Sequence, residues 1–279
     1  MAQSLRVGEA EVTILTVGYL QADLADWLRL PPPAWKARYS DYFEQPFLVP
    51  VQCVHIRLGA TAVLVDAPGN DPPPLRLMPP DYQPPVDLLS QLWLAGLPPG
   101  AVEHVVITHP HFDHYGSVTV AQGKSWAPAF PNARYYLSRA DWEQPSLQRA
   151  IRRRHSEDSH TWGVLESAKR LEIVEGRREI APGVAILPAP GETAGHQIVR
   201  VHSAGRTLYC LGDLYHHTVE VEQPEWVAHW CKREATLASR AALVETALAE
   251  DALLITAHIP GAGRLARTAE GVIWERVGE

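Results

Sequence analysis

The segment ITHPHFDHYG, residues 107–116, places three histidines and one aspartate within the six positions from His109 to His114. It completes VEHVVITH, an apolar, β-branched run that is typical of a buried strand. The motif therefore lies where a strand ends and a loop begins. Binding sites are often built at such places, because a rigid strand positions the loop that carries the polar side chains.

The pattern of apolar residues predicts an alternation of strands and helices along the rest of the chain. Strands are predicted at 11–17, 51–58, 61–67, 102–109, 184–189, 197–203, 206–213, 252–258 and 271–277. Helices are predicted at 86–96 and about 232–250, with a charged helical insertion at about 139–171. Gly59 and Ala60 predict a hairpin turn, and proline-rich stretches at 31–33, 72–74 and 79–85 predict rigid surface connections. We therefore expect one α/β domain spanning residues 1–279.

Composition excludes several classes of protein. The 279 residues include 25 Lys and Arg against 32 Asp and Glu, and the net charge of −7 disfavours nucleic-acid binding. Cys53, Cys210 and Cys231 include no CxxC pair, so we expect buried or half-buried thiols rather than a disulfide framework or a zinc ribbon. The amino end contains neither a signal-like pattern nor an apolar run near the roughly 20 residues that cross a bilayer. We expect a cytoplasmic protein without a membrane partner.

The spacing within the motif favours metal binding. His109 and His111 lie two residues apart, so their rings leave an extended backbone on the same side and can reach one ion. Asp113 and His114 form a second pair, and four ligands so close together do not suit one tetrahedral ion with an open position. We therefore expect two adjacent divalent ions, of zinc or alternatively of iron, manganese or cobalt. Further candidate ligands stand at three later strand ends: His196 in GETAGH, Asp213 in LGDLYHH and His258 in ITAHIPG.

HPHFDH matches the HxHxDH signature of the metallo-β-lactamase superfamily, and the later ligands follow in the order that this family uses. The chain resembles that superfamily over roughly residues 51–260. The resemblance implies a four-layer αβ/βα sandwich, with two mixed sheets face to face, helices outside and metals at one edge between the sheets. It also implies a division of the ligands between two ions: His109, His111 and His196 on metal one, Asp113, His114 and His258 on metal two, and Asp213 bridging both.

Asp66, in VLVDAPG, matches an aspartate of the same family that follows an early strand and orients the imidazole rings of ligands. A structural interpretation stands beside this one, because an aspartate after a strand is often a turn former. Seven other histidines are expected to be ordinary core or surface residues: His55, His104, His155, His160, His202, His217 and His229.

The ligand set favours one branch of the superfamily. Secreted β-lactamases generally lack the equivalent of His114 and use cysteine where this chain has Asp213, whereas glyoxalase II carries a longer helical end than the 21 residues after His258. The chain looks most similar to the N-acyl homoserine lactone lactonases and their organophosphate-hydrolysing relatives. This resemblance implies a hydrolase that opens acyl lactones, with aryl esterase or phosphotriesterase side activity. A glyoxalase II-like thioester hydrolase and a mononuclear-iron sulfur dioxygenase are the alternatives.

Substrate contact and proton transfer are expected from residues next to the ligands. The lactonases have a substrate-binding tyrosine shortly after the bridging aspartate, and here Tyr215 is followed by His216, so either residue could take that role. Asp113 is expected to help move a proton. The aromatic segment 20–47 is expected to cover the pocket, to pack against a second subunit in a homodimer, or to pack on the domain's own core.

Overall fold

The computed structural model describes residues 2–69 and 83–278 as strands and short helices around two sheets. Strands β1–β16 run, in chain order, over Gln3–Val7, Ala10–Ala22, Phe47–Leu58, Thr61–Val65, His104–Val106, Thr119–Gln122, Ser125–Pro128, Arg134–Ser138, Leu171–Val174, Arg178–Ala181, Val184–Pro188, Gln197–Ser203, Arg206–Cys210, Leu253–Ile255, Ala262–Thr268 and Gly271–Val277. Helices α1–α11 run over Leu24–Leu28, Pro32–Trp35, Ser40–Phe43, Leu88–Leu94, Phe112–Tyr115, Arg139–Trp142, Pro145–Arg152, Glu157–His160, Trp162–Ser167, Val219–Glu222 and Arg233–Ala249. A 3₁₀ turn spans Pro99–Ala101.

Two mixed sheets organise the described part of the chain. The first has the strand order β1-β2-β3-β4-β5-β8-β9, and the second has the order β10-β11-β12-β13-β14-β15-β16. The pairs β4–β5, β5–β8 and β8–β9 are parallel in the first sheet, and β13–β14 is parallel in the second. Helices lie in the connections between parallel strands, as such crossovers require, with α11 between β13 and β14. Strands β6 and β7 form a separate hairpin.

The alternation of side chains along β4 shows how the layers are stacked. Val63 and Val65 belong to a core cluster that also contains residues of the second sheet, such as Val199, so this face lies between the two sheets. Leu64 points the other way and packs in a cluster with Leu92 of α4. On the far side, α11 packs against the second sheet in a third cluster. The arrangement is helix, sheet, sheet, helix, which confirms the predicted four-layer αβ/βα fold.

The aromatic segment near the amino end packs on the chain's own residues. Leu24, Leu28 and Phe43 of α1 and α3 are buried in one cluster with Val219 and Trp226. Helix α1 begins at an Asp23 side chain that accepts a hydrogen bond from the Asp26 backbone N–H, and α2 begins with proline, as suits the first helical turn. The segment is therefore held beside α10, next to the edge of the sheets where β13 ends.

Most predicted elements are present. Several are shorter than predicted, whereas the strands predicted at 11–17 and 51–58 are longer and run over Ala10–Ala22 and Phe47–Leu58. The strands at 197–203 and 271–277 are confirmed with the same bounds, and the Gly59-Ala60 turn is confirmed by the pairing of Leu58 with Thr61. The strand predicted at 102–109 is wrong beyond Val106, because the Thr108 N–H donates to the Asp66 carboxylate instead of to a neighbouring strand.

Other elements escaped prediction. Strands β1, β8, β9, β10 and β15 have little apolar alternation that would separate them from loops, and tertiary pairing decides them. The charged insertion forms four short helices, α6–α9. The proline-rich stretch at 72–74 and most of that at 79–85 lie outside the described residues. All three cysteines are free thiols, with Cys53 and Cys210 buried and Cys231 half-buried, as predicted. Among the described residues, no helix is both long and apolar enough to cross a membrane.

Two hairpin glycines with the same backbone conformation test how closely the sheets are joined. A Cβ atom added to Gly8, at φ +59°, would lie 2.0 Å from the Ser203 carbonyl oxygen at the end of β12, whereas Gly59, at φ +61°, has open space around it. Both alanine substitutions carry the left-handed backbone cost of roughly 1–2 kcal/mol. Because only Gly8→Ala must also push two backbones apart, we expect it to lower the free energy of unfolding by about 1–3 kcal/mol more than Gly59→Ala, as measured by denaturant titration. Equal losses would contradict a close contact between the two sheets at this turn.

Candidate metal centre

The predicted ligands converge at one edge of the two sheets. Asp66 and His109 follow the parallel neighbours β4 and β5, whereas Asp213 and His258 follow the parallel neighbours β13 and β14. Parallel neighbours end at the same edge of a sheet, so each sheet delivers two strand ends to the cluster. The distance of 3.7 Å between His109 Nε2 and Asp213 Oδ2 shows that the two pairs of ends meet.

Asp66 connects the end of β4 to the histidine motif. Its backbone is in the left-handed region at φ +61°, an uncommon conformation outside glycine, and this turns the carboxylate back toward the next strand. Asp66 Oδ1 accepts the Thr108 N–H at 2.7 Å, and Oδ2 accepts the Thr108 hydroxyl and the His114 Nδ1–H, each at 2.9 Å. This is the geometry that an aspartate orienting a ligand imidazole requires.

His109, His196 and His258 are oriented by hydrogen bonds to neutral acceptors. His109 Nδ1 donates to the Thr108 hydroxyl at 3.1 Å, because that hydroxyl already donates its own proton to Asp66. His196 Nδ1 donates to the Ala189 carbonyl at 3.0 Å, and His258 Nδ1 donates to the Pro50 carbonyl at 2.9 Å. In each case the far nitrogen, Nε2, is left to face the cluster.

One group of four residues has the spacing of a tetrahedral metal site. Ligand atoms about 2.0–2.1 Å from a tetrahedral zinc ion lie roughly 3.3 Å from one another. Asp213 lies 3.3 Å from His114 Nε2 and 3.3 Å from His258 Nε2, and Asp113 Oδ2 lies 3.5 Å from each of these nitrogens. His114 Nε2 and Asp213 Oδ1 are buried atoms without a hydrogen-bond partner, so a cation would satisfy both. These residues fit the predicted second metal.

A second group surrounds the predicted first metal and shares Asp213 with the first group. It consists of His109, His111, Glu192 and Asp213. His109 Nε2 lies 2.9 Å from His111 Nδ1, and His111 Nδ1 lies 3.3 Å from Glu192 Oε1. Glu192 was not among the predicted ligands. The signal available for it was an acidic residue four positions before His196 in the same loop, GETAGH.

His196, a predicted ligand of metal one, lies beside the first-metal group and is not one of its four members. Its Nε2 atom accepts a hydrogen bond from the Asp213 backbone N–H at 3.2 Å and does not belong to the group around the first metal. Its ring nevertheless stands beside that group, with its centre 5.2 Å from the ring centre of His109. The sequence therefore predicted that His196 lies near the first-metal group, whereas the direction of its Nε2 atom depends on the fold.

Buried carboxylates control the electrostatics of the site. Burial opposes protonation of His114, yet the carboxylates of Asp213, Asp113 and Asp66 raise the pKa of His114 well above its ordinary range. His258 is likewise buried, and Asp213 and Asp113 raise its pKa to about 9. By contrast, burial and the nearby His114 hold the pKa of His109 well below its ordinary range. The negative potential of these carboxylates therefore favours a cation beside His114 and His258.

The two candidates for substrate contact point in opposite directions. His216 is buried, its Nε2 lies 3.6 Å from Asp213 Oδ2, and neither of its ring nitrogens has a hydrogen-bond partner. Tyr215 is buried in the apolar cluster behind the second sheet, with the Arg240 guanidinium 4.6 Å from its ring centre. The structure therefore brings His216 into the site and not Tyr215.

A cavity of about 480 Å³ opens beside the cluster at His111. Its walls come from the motif, the helical insertion and the GETAGH loop, and include Pro110, Tyr115, Gln144, Leu147, Ala150 and Thr193. The opposite side of the site is aromatic, because the rings of Trp27 and Trp230 contact His216 with ring centres 5.8 Å and 5.6 Å away. The cavity volume is within the range of small-molecule pockets.

Curated relatives match this chain over part of their length. The chain is 28% identical to a probable metallo-hydrolase of Mycobacterium tuberculosis, over 60% of this chain and 57% of that protein. It is 27% identical to an N-acyl homoserine lactonase of a Bacillus species, over 61% of each protein. The matches therefore span about three fifths of the length of these relatives.

Solved structures share the fold over nearly the whole chain. AidC, a dizinc quorum-quenching lactonase solved with the product N-hexanoyl-L-homoserine, has a TM-score of 0.78 at 20% identity, with 100% of this chain and 98% of that chain covered. The hydrolase AbOPH of the beta-lactamase superfamily has a TM-score of 0.80 at 17% identity, with the same coverage. At these identities the likeness concerns the fold. The sequence profile of the metallo-beta-lactamase superfamily matches residues 47–249, most of the chain and all but one of the converging ligands, and the chain therefore belongs to that superfamily.

Proposed function

We propose that this protein is a hydrolase that uses two divalent metal ions, zinc in the first instance, to open acyl lactones. The observation that carries the proposal is the pair of ligand groups that share the Asp213 carboxylate and lie beside a cavity of about 480 Å³. The lactonases among the curated relatives and the solved structures support the choice of substrate. Aryl esters and phosphotriesters are proposed as side substrates, because a pair of metal ions that polarises a carbonyl oxygen can also polarise a phosphoryl oxygen.

The proposed ligand set combines the predicted residues with the observed groups. Metal one is held by His109, His111 and His196, and metal two is held by Asp113, His114 and His258, with Asp213 between them. Two ions in such a site lower the pKa of a bound water toward about 7 and polarise a substrate oxygen. Asp66 and Thr108 supply the hydrogen bonds that keep the imidazoles of His109 and His114 turned toward the ions.

His216 and Asp113 are the residues proposed to act on the substrate. His216 Nε2 is a buried potential donor beside Asp213, so it can donate a hydrogen bond to the substrate oxygen on which charge develops. The Asp113 side chain is 26% exposed, against 5% for Asp213, so Asp113 faces the space that the substrate enters. From there it can receive a proton and pass it to the leaving oxygen.

The walls of the site suit a substrate with one polar ring and one apolar arm. We propose that the amino-terminal segment 20–47 covers the site through Trp27, whose ring contacts both His216 and Trp230. The helical insertion 139–171 provides the facing wall through Leu147 and Ala150. A lactone fits because its carbonyl and ring oxygens can face the metals while the acyl chain lies along these walls.

The first prediction from this function concerns metal content. Elemental analysis of the wild-type protein, prepared with adequate zinc, should approach two ions per chain, because both ligand groups are complete. His114→Ala and His258→Ala should each lower the content toward one ion. His202→Ala serves as the control, since His202 lies near the exposed end of β12 and contacts Thr207 rather than the cluster. A content of one ion in the wild type would contradict the dinuclear site.

The second prediction concerns the shared carboxylate. Asp213→Ala should lose metal from both positions and with it the lactonase activity, because Asp213 belongs to both ligand groups. Asp251→Ala is the matched control, as its carboxylate pairs with Arg264 at a more exposed position. Metal content and kcat would be measured on the same preparations. An Asp213→Ala protein that keeps two ions and the wild-type rate would show that another residue bridges the metals.

The third prediction separates the neighbouring residues Tyr215 and His216. His216→Ala should lower kcat on acyl lactones by roughly 100–1,000-fold, as expected for the loss of one donor to the reacting oxygen, with metal content unchanged. Tyr215→Phe should leave kcat close to that of the wild type, because its ring is packed away from the metals. The rates would be measured on lactones of several chain lengths.

The same assay tests the substrate class. The panel would include aryl esters, phosphotriesters, a glutathione thioester and a measurement of dioxygen consumption. Wild-type protein with two ions that opens no lactone but cleaves the thioester, or that consumes dioxygen, would overturn the lactonase proposal and leave the metal site standing.

A further inference from the structure

The buried carboxylate of Glu192 lies among the ligands of metal one, where neither the motif nor the proposed function assigns a residue. We propose that Glu192 is an additional ligand of metal one, with Oε1 as the donor atom. The Oε1 atom lies 3.3 Å from His111 Nδ1, which is the separation of two ligands on one tetrahedral zinc ion. This inference rests on the proposed dinuclear function and deepens it.

The environment of Glu192 leaves its charge without a permanent cation. Its side chain is only 2% exposed, and within the described ranges its ion-pair neighbours are the imidazoles of His111 and His216. Glu220 offers a comparison, because this similarly buried carboxylate is neutralised by the Arg240 guanidinium at 2.7 Å. Burying a carboxylate is costly unless it is paired, so the position of Glu192 favours a bound cation.

The addition of Glu192 gives each metal position one carboxylate of its own beside the shared Asp213. In the group around metal two that carboxylate is Asp113, which stands with the imidazoles of His114 and His258. In the group around metal one it is Glu192, which stands with the imidazoles of His109 and His111. The proposed third imidazole of metal one, His196, is neutral as a ligand, so both ions face the same number of negative charges.

The carboxylate is held in place from its outer side. The Trp230 Nε1–H donates to Oε1 at 2.7 Å, and the Cys231 thiol donates to Oε2 at 2.8 Å. The loop backbone is also fixed, because the Lys232 N–H donates to the Gly191 carbonyl at 2.7 Å. A carboxylate oxygen accepts more than one partner, so Oε1 can keep the Trp230 hydrogen bond and still face metal one. The donor is therefore preorganised for the ion.

The proposal is tested by metal binding rather than by activity alone. Glu192→Gln keeps the size of the side chain and an oxygen for Trp230, but removes the charge. We expect it to weaken the binding of one of the two zinc ions by more than about 100-fold in competition with a chelator, since residues that only contact a ligand typically account for 10–100-fold. We also expect the visible absorption of the cobalt-loaded protein, which reports coordination geometry, to change.

The matched control is Glu250→Gln, because the Glu250 carboxylate also accepts two side-chain hydrogen bonds, from Arg200 and Tyr209, but is not in either ligand group. It should bind both ions as the wild type does. Thermal unfolding of each metal-free protein would show whether Glu192→Gln is still folded. If it is not, Glu192→Asp, which keeps the charge but draws it back, replaces it in the same titration with the same expectation.

His216 offers a competing explanation, in which Glu192 serves only to hold that ring. The titration is therefore repeated in a His216→Ala background, where a ligand role predicts the same loss of one ion on Glu192→Gln. Loss of affinity below about 100-fold, or loss that disappears in this background, overturns the proposal. If the wild type binds two ions, either of these results for the variants leaves the proposed function intact. Failure of the wild type itself to bind two ions overturns the proposed function.

Discussion

The carboxylate of Asp213 is the contact on which the arrangement of the site depends. Its two oxygens lie 3.3–3.7 Å from imidazole nitrogens of His109, His114 and His258, which reach it from both sheets. Because Asp213 itself is almost fully buried, its charge must be balanced by protons or by metal ions at those nitrogens. One buried carboxylate therefore contacts residues from the ends of both sheets and favours a cation among them.

A buried ion pair between Glu220 and Arg240 fixes the loop that carries Asp213 and His216. Glu220 Oε2 accepts the His216 backbone N–H at 2.6 Å, and Arg240 donates from Nε to the Leu214 carbonyl at 2.9 Å. Glu220 and Arg240 are each 1% exposed and pair with each other at 2.7 Å. Such a pair adds little net stability when compared with apolar packing, but it specifies one geometry because each partner is costly to leave alone. Here the specified geometry directs Asp213 and His216 into the ligand cluster.

The cavity beside the cluster is lined by segments that lie outside the two sheets. The amino-terminal helix α1 brings Trp27 to His216, and helices α6 and α7 of the insertion line the cavity at His111. The converging side chains, by contrast, stand at strand ends, on the short helix α5 that follows β5, or in the short loop before β12. This division allows the outer segments to vary without moving the cluster, as is common where loops are carried on a rigid scaffold.

Much of the local chemistry could be predicted from the order of the amino acids: the HPHFDH motif, the strand ends that supply Asp213 and His258, and the α/β alternation behind them. These features were readable because ligand spacing and apolar periodicity are properties of neighbouring residues. Which nitrogen or oxygen faces the centre depends instead on tertiary contacts. These contacts turn His216 inward and Tyr215 outward, set His196 Nε2 against the Asp213 N–H, and bring in Glu192. Such orientations depend on contacts between residues far apart in the chain, as between Asp66 and His114, and no local pattern records them.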